Sequence, residues 1–222
     1  MRKRESRASH WDEVYSTHPI ETVSWYEREP STSLELVELL AVPRDAGVID
    51  VGGGASHLVD RLVDRGWRDV TVLDVSAEAM RGAKARLTDR EQVTWVCADV
   101  LEWAPDRGYG LWHDRAVFHF LVDLDDRVSY LERLRAAVAP SGAVVIATFA
   151  PDGPDRCSGL PVVRYSADDL AELLAACGFA IVGSRREEHV TPAGVVQPFV
   201  YLAARAGDRE GSSAPPGERL AP

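Results

Sequence analysis

The chain has 222 residues, 45% of them hydrophobic and 27% charged, the composition of one globular domain with one sizeable core. Its formal net charge of −10 repels phosphate backbones and anionic bilayers, so neither nucleic acid nor a membrane is an expected partner. Cys97, Cys157 and Cys177 are far apart, odd in number and form no C-x-x-C pair, which points to reduced thiols in a cytoplasmic setting and not to a disulfide framework or a zinc site.

Residues 1–8 are polar, with no apolar run behind them, and are expected to be disordered and not a signal peptide. An aromatic arm over residues 9–42 follows, with His10-Trp11-Asp12-Glu13-Val14-Tyr15 and Val23-Ser24-Trp25-Tyr26. Pro30-Ser31-Thr32-Ser33 opens a helix carrying Leu34, Leu36, Val37, Leu39 and Leu40. Val48, Ile49 and Val51 read as a short buried strand (about 46–52) that Gly52-Gly53-Gly54 ends abruptly, and Leu58, Val59, Leu62 and Val63 then recur at helical spacing over about 56–65. A second strand runs over about 69–74, Ser76 caps a helix over about 77–87, and Gln92 to Cys97 form a third strand that ends at Ala98-Asp99. A fourth strand (about 109–114), a helix from about Asp125 to Val138, and a fifth strand from Ala143 to Phe149 come next. An irregular stretch from Ala150 to Tyr165 precedes a helix capped by Ser166 and ended by Gly178. Runs over about 179–189 and 195–204, joined by Thr191-Pro192-Ala193-Gly194, suit an antiparallel hairpin. Residues 207–222, crowded with Gly, Ser, Pro and charge, are expected to be disordered, leaving a single domain over 9–206.

Alternating strands and helices predict an α/β protein with a mostly parallel sheet and helices on both faces. Strand, glycine turn and helix make a socket for a nucleotide-like ligand, because glycines admit close backbone approach and helix-start N–H groups face the ligand. Asp74 closes the second strand about 20 residues beyond the glycines, where such a fold sets an acid against ribose hydroxyls. A dinucleotide enzyme would need a second mononucleotide half and a catalytic domain, for which this chain has no room.

Three segments occur in the order found in class I S-adenosylmethionine-dependent methyltransferases: Val48-Ile49-Asp50-Val51-Gly52-Gly53-Gly54, Leu73-Asp74-Val75-Ser76 and Cys97-Ala98-Asp99-Val100. The chain resembles that family over roughly residues 30–205, and its N-terminal aromatics look similar to the thiopurine, thiol and halide methyltransferases, whose arm covers the cofactor. The resemblance implies a Rossmann-like seven-stranded sheet of order 3-2-1-4-5-7-6 with the seventh strand antiparallel. It also implies S-adenosylmethionine as cofactor, with S-adenosylhomocysteine as product. Where the family commonly has a further glycine, Ala55 and Ser56 stand here.

By the same resemblance Gly52 and Gly54 hold the methionine portion, Asp50 supports the loop or reaches the amino group through water, and Ser56 caps the helix and donates to the carboxylate. Asp74 accepts the ribose hydroxyls, and Asp99 accepts from the adenine amino group between Val75 and Val100. The plainer alternatives are a tight turn for the glycines and helix caps for both acids. Asp114 closes strand four, and Arg115 reaches the cofactor or an acidic substrate. His119 is either a base and substrate-orienting group or a core histidine among Phe118, Phe120 and Leu121. Trp11, Tyr15 and Trp25 are expected to lid the cofactor, since aromatic faces attract cations, or else simply to pack. Tyr26, Cys157 and Arg164 are assigned to the substrate side, Cys157 not as a nucleophile. The six histidines show no paired ligand spacing, so no metal is expected.

The expected reaction is in-line methyl transfer to a small molecule, a thiol, selenol or similar nucleophile, by a monomer or homodimer. A lysine-directed protein methyltransferase, a nicotinamide oxidoreductase and a non-catalytic cofactor-binding module are the rival classes; His57 stands where the oxidoreductase would carry its third glycine.

Overall fold

In the computed structural model, residues 2–88 and 90–207 are described; the expected disordered tail beyond Gly207 lies outside the described residues. Five runs become parallel strands: β1 (Val48–Val51), β2 (Val70–Asp74), β3 (Val93–Cys97), β4 (Tyr109–Arg115) and β5 (Val138–Phe149). A two-residue pair, β6 (Arg156–Cys157) and β7 (Leu160–Pro161), stands apart from the main sheet. The hairpin strands β8 (Phe179–Val190) and β9 (Val196–Ala206) complete it. The sheet order is β3-β2-β1-β4-β5-β9-β8, with β9 antiparallel to β5 and β8 antiparallel to β9. This is the expected 3-2-1-4-5-7-6 order, with β8 and β9 in the sixth and seventh places.

Both faces of the sheet are covered, so the central strands are buried throughout and read as continuous apolar runs. Val48 joins Leu36, Val59 and Leu62 in a core beneath α2 (Ser31–Leu39), α3 (Leu58–Asp64) and α4 (Ala77–Arg86). Ile49 and Val51 point the other way, into a core with Tyr130, Leu134, Leu170 and Leu174 from α5 (Leu124–Ala137) and α6 (Ala167–Ala176). The alternation along β1 puts Asp50 on the α2 side.

Two segments depart from expectation. The first helix, α1 (Arg2–Thr17), begins inside the stretch 1–8 expected to be disordered. Polar contacts hold it: Arg7 bonds Asp99 and Asp126, and Asp12 accepts from the Ser76 hydroxyl at 2.6 Å. Strand β5 starts at Val138, not 143, and runs on through Pro140-Ser141-Gly142. Ser141 there takes a φ of 57°, and the register with β4 shifts between Tyr109 and Leu111, the mark of a bulge.

Candidate active site

The site is assembled where β1, β2, β3 and β4 end. Gly52 leaves β1 at φ +70°, donating to Leu73 O at 2.7 Å, and a Cβ built there would lie 2.1 Å from Val117 Cγ2, so only glycine fits. Asp74 ends β2 with both oxygens engaged by backbone amides, Oδ2 by Gly54 N at 2.9 Å and Oδ1 by Ser76 N at 2.8 Å. Burial pushes its carboxyl up to about 6, although those two amides and the ionic surroundings pull in opposite directions. Ser76 in turn caps α4 by accepting from Ala79 N at 3.0 Å. Asp99, just past β3, accepts from Leu101 N at 2.9 Å and from Arg7 Nη1 at 3.1 Å.

These ends open on one crevice of about 900 Å³, mouth included, in the size range of ligand sites. Gly52, Asp74 and Val75 line it from one side, and Asp99 and Val100 from the next strand end. Its roof is aromatic. Trp11 meets Phe120 at 5.2 Å and Trp25 at 5.6 Å, both edge-on, and Trp25 Nε1 donates to Tyr15 Oη at 3.2 Å. Burial, with Asp74 nearby, pushes the Tyr15 phenol well above its ordinary value. A second chamber of about 540 Å³ shares Tyr15, Trp25, Val51, Gly52 and Arg115 with the first and adds Tyr26, Asp50, Ser56 and His113.

Arg115 bridges the two chambers without offering itself to a ligand. Its Nε donates to Tyr201 Oη at 2.8 Å, Nη1 to Trp25 O at 3.1 Å and Nη2 to Glu27 Oε1 at 2.8 Å, and it stacks 4.4 Å from the Phe199 ring centre. Burial opposes its charge, but Tyr201, Glu27 and Glu187 hold it protonated. Burial likewise pushes the Glu27 carboxyl up, yet the His189 and Arg115 contacts bring it below its ordinary value. The network pins the 25–27 segment against the sheet.

Most expected site residues therefore converge: Trp11, Tyr15, Trp25, Gly52, Asp74, Val75, Asp99, Val100, Arg115 and Cys157 around the first chamber, and Tyr26, Asp50 and Ser56 around the second. Four expected placements need correction. His119 lines neither chamber; its ring is fully buried 4.4 Å from Phe120 and 4.9 Å from Phe149 with both nitrogens unpartnered, and burial beside Arg115 drops it to about 3. Gly54 is behind the chambers, its amide given to Asp74 and not turned toward a ligand. Asp114, likewise behind them, accepts from Val117 N at 2.8 Å, Phe118 N at 3.1 Å and the Tyr130 hydroxyl, so it orders the β4 exit and touches no ligand space. Arg164 is exposed and donates to Gly153 O at 3.1 Å, tying down the 150–165 loop. Tyr26, expected on the substrate side, lines the second chamber beside the glycine loop with its ring 5.8 Å from His57. Ser56 Oγ accepts from Leu58 N at 2.9 Å, a turn contact one residue ahead of the helix N-cap His57 and not the N-cap position expected of it.

The chain also recruits residues that pattern alone does not single out. Arg7 lies in the stretch expected to be loose, and Phe199 comes from β9, more than eighty residues beyond β4, where no local spacing announces it. Ser33 and His113, each a plain helix or strand residue by pattern, meet Asp50 in the buried core.

The residues present suit an adenosyl sulfonium with an amino-acid end. Asp50 Oδ2 is buried with no hydrogen-bond partner beside the glycine loop, while Asp74 and Asp99, with one donor on each oxygen and lone pairs to spare, line the first chamber. Residues 48–142 match a family model described as a methyltransferase domain. The chain is 36% identical over 114 residues to trans-aconitate 2-methyltransferase of Azoarcus sp. (strain BH72), covering 49% of this chain and 42% of that protein. It is 26% identical over 120 residues to nodulation protein S of Rhizobium tropici, covering 54% and 50%. The chain thus spans half or less of the length of these curated relatives. Among solved structures, 1,6-didemethyltoxoflavin-N1-methyltransferase of Burkholderia thailandensis, with 1,6-didemethyltoxoflavin and S-adenosylhomocysteine bound, aligns with a TM-score of 0.67 at 25% identity, over 91% of this chain and 85% of that one. The N-methyltransferase NodS from Bradyrhizobium japonicum WM9, in complex with S-adenosylhomocysteine, shares the fold at a TM-score of 0.69 and 15% identity, over 90% and 98%.

Proposed function

We propose, from the premise that this chain carries a class I S-adenosylmethionine-dependent methyltransferase domain, that it methylates a small molecule bearing a soft nucleophile, a thiol or selenol foremost. The observation carrying this is the convergence of Gly52, Asp74 and Asp99 on one crevice whose far wall is Trp11, Trp25, Phe120 and Phe199. When bound, S-adenosylmethionine supplies a methyl group already activated by a sulfonium.

What falls to the protein is placement and exclusion of water. Asp74 accepts the ribose hydroxyls through lone pairs its amide partners leave open, and Val75 and Val100 flank the base. Holding two reactants in line is worth on the order of 7–11 kcal/mol of barrier. Neither the histidine nor the thiol expected on the substrate side is equipped to remove a proton from the acceptor. His119 is off the crevice at about 3, and burial pushes the Cys157 thiol, which does line it, up to about 11. An acceptor that ionises by itself near neutral pH meets that condition; a phenol or ammonium does not. A carboxylate acceptor is disfavoured on charge, because Arg7 and Arg115, the cations lining the crevice among the described residues, are both paired with carboxylates. The roof laid down by α1 suits a small molecule better than a protein lysine.

Calorimetric titration with S-adenosylhomocysteine and with NAD⁺ tests the cofactor, and labelled S-adenosylmethionine with panels of thiols, selenols, carboxylic acids, phenols and amines tests the acceptor. Binding of the first ligand alone, with label transferred to thiols or selenols, is the expected result. NAD⁺ binding overturns the cofactor assignment, and transfer confined to carboxylic acids overturns the acceptor class.

A further inference from the structure

The wall of the first chamber along the β4 exit is built on strained backbone. Ala116 stands at φ +72°, the left-handed region that glycine adopts freely and a residue with a side chain adopts at a cost. Arg115, Ala116 and Val117 all line that chamber. Successive residues of an extended strand alternate between faces, so three in a row on one wall need a turn in the backbone. The left-handed residue supplies it.

Bonds on both sides hold the conformation in place. Ala116 N donates to Ala147 O on β5 at 2.9 Å, and the next amide, Val117 N, donates to Asp114 Oδ1 at 2.8 Å. Asp114 is itself fixed by Phe118 N at 3.1 Å and by the Tyr130 hydroxyl. After the turn, Val117 packs against Gly52, and before it the Arg115 guanidinium is held by Tyr201, Trp25 O and Glu27. A sparsely populated backbone conformation persists only when its surroundings over-determine it, and this one is fixed from both ends.

Tyr15, Trp25, Val51, Gly52 and Arg115 line both chambers and so bound the passage between them. Under the assignment proposed above, adenosine lies against Asp74 and Asp99 and the amino-acid end lies at the glycine loop, so the sulfur between them falls in that passage. The turn governs two of the passage residues. Arg115 is the residue before Ala116, and Gly52 is packed by the residue after it.

We infer that Ala116 is a positioning residue: its left-handed backbone locks Arg115, Val117 and, through Val117, Gly52 into one rigid wall beside the reacting sulfur. A substitution that relaxes the turn therefore steadies the fold and slows methyl transfer, whereas relieving a merely structural turn changes stability alone. The inference rests on the cofactor assignment proposed above.

The test compares Ala116→Gly and Ala116→Ser with Ala41→Gly in the full chain. Ala41, exposed just beyond α2, is also left-handed, at φ +45°, and lines neither chamber, which makes it the matched control. Both glycine variants are expected to raise the melting temperature by a few degrees, since glycine adopts this region without strain. Ala116→Gly alone is expected to lower kcat, on the order of tenfold, for transfer of label from S-adenosylmethionine to thiophenol, with S-adenosylhomocysteine affinity staying within about threefold of wild type. In that variant amide exchange at Val117 and Phe118 quickens with S-adenosylhomocysteine bound. Ala116→Ser, which keeps a side chain and hence the restriction on φ, is expected to hold kcat within about threefold of wild type. Unchanged kcat in Ala116→Gly, or a matching fall in Ala41→Gly or Ala116→Ser, overturns the inference and leaves the cofactor assignment standing. A wild-type chain that binds no S-adenosylhomocysteine overturns that assignment instead. If thiophenol takes no label, kcat is read on whichever acceptor of the panel does; if none does, exchange decides, and an unchanged rate at Val117 and Phe118 overturns the inference.

Discussion

Asp74 joins a structural duty to the ligand-binding one proposed for it. Both its oxygens receive backbone N–H groups, so Asp74→Ala strands Gly54 N and Ser76 N without acceptors. The substitution is expected to reduce S-adenosylhomocysteine affinity at least tenfold and also to lower the melting temperature, read by calorimetry and thermal unfolding. Its carboxyl, pushed up to about 6, keeps its proton in the folded chain at pH values where the unfolded chain has already lost it. The ionised form therefore weakens the folded state at neutral pH, and stability from this group rises as pH falls from about 6 toward 4. Under the proposed ribose contact ligand affinity runs the other way, because hydroxyls donate best to a carboxylate. Titrations from pH 8 to pH 5 are expected to show affinity falling several-fold below about pH 6.

His119 has the opposite sign. It is held neutral down to about 3, while an unfolded histidine takes a proton near 6.5. Its contribution is lost as pH falls below 6.5, with a slope approaching about 1.4 kcal/mol per pH unit. His119→Leu is expected to retain methyl transfer and to lose less stability than wild type between pH 7 and pH 5, as urea unfolding would measure; a loss of turnover with ligand binding intact would restore a catalytic role. The flanking aromatics Phe118 and Phe120 left both roles open in the sequence; only the packing against Phe149, about thirty residues on, distinguishes them.

Among the elements, those with a strong apolar period or a polar cap were legible. β1, β2, α4 with its Ser76 cap and α6 with its Ser166–Asp169 capping box lie within a residue or two of expectation. α1 was not legible, because no apolar stripe defines it. Its anchors are charged groups distant in sequence, Asp99 and Asp126 for Arg7 and the start of α4 for Asp12. Such partly exposed pairs contribute little to global stability, on the order of 0–1 kcal/mol. Arg7→Ala is accordingly expected to leave the melting temperature within a few degrees of wild type while speeding amide exchange across Arg2–Thr17 and S-adenosylhomocysteine release several-fold. Unchanged exchange would show that Asp12 and the aromatic packing hold the helix unaided.

At the scale of the molecule, alternation of strand and helix was enough to announce a parallel sheet, and three motif segments were enough to order it. What pattern could not supply were contacts between strands far apart in sequence: Phe199 on β9 against Arg115 on β4, or Asp50 beside His113. Four strand ends meet in the crevice, so a ligand that fills it couples to the whole sheet. At one hundred times its dissociation constant a ligand adds about 2.7 kcal/mol. For a chain of this size that is expected to raise the melting temperature by roughly 5–11 °C, measurable by scanning calorimetry with S-adenosylhomocysteine.

The guanidinium of Arg7 occupies the same carboxylate that is assigned to adenine, and its other arm reaches across to Asp126. A nucleoside that takes up the oxygen Arg7 holds, as the proposed function has it, waits for that bridge to swing aside, which makes entry a two-stage event. In rapid mixing, the fluorescence of Trp11 and Trp25 should change at a rate that levels off with rising ligand concentration, the ceiling being the bridge's own opening frequency; neutralising Asp126 should lift that ceiling.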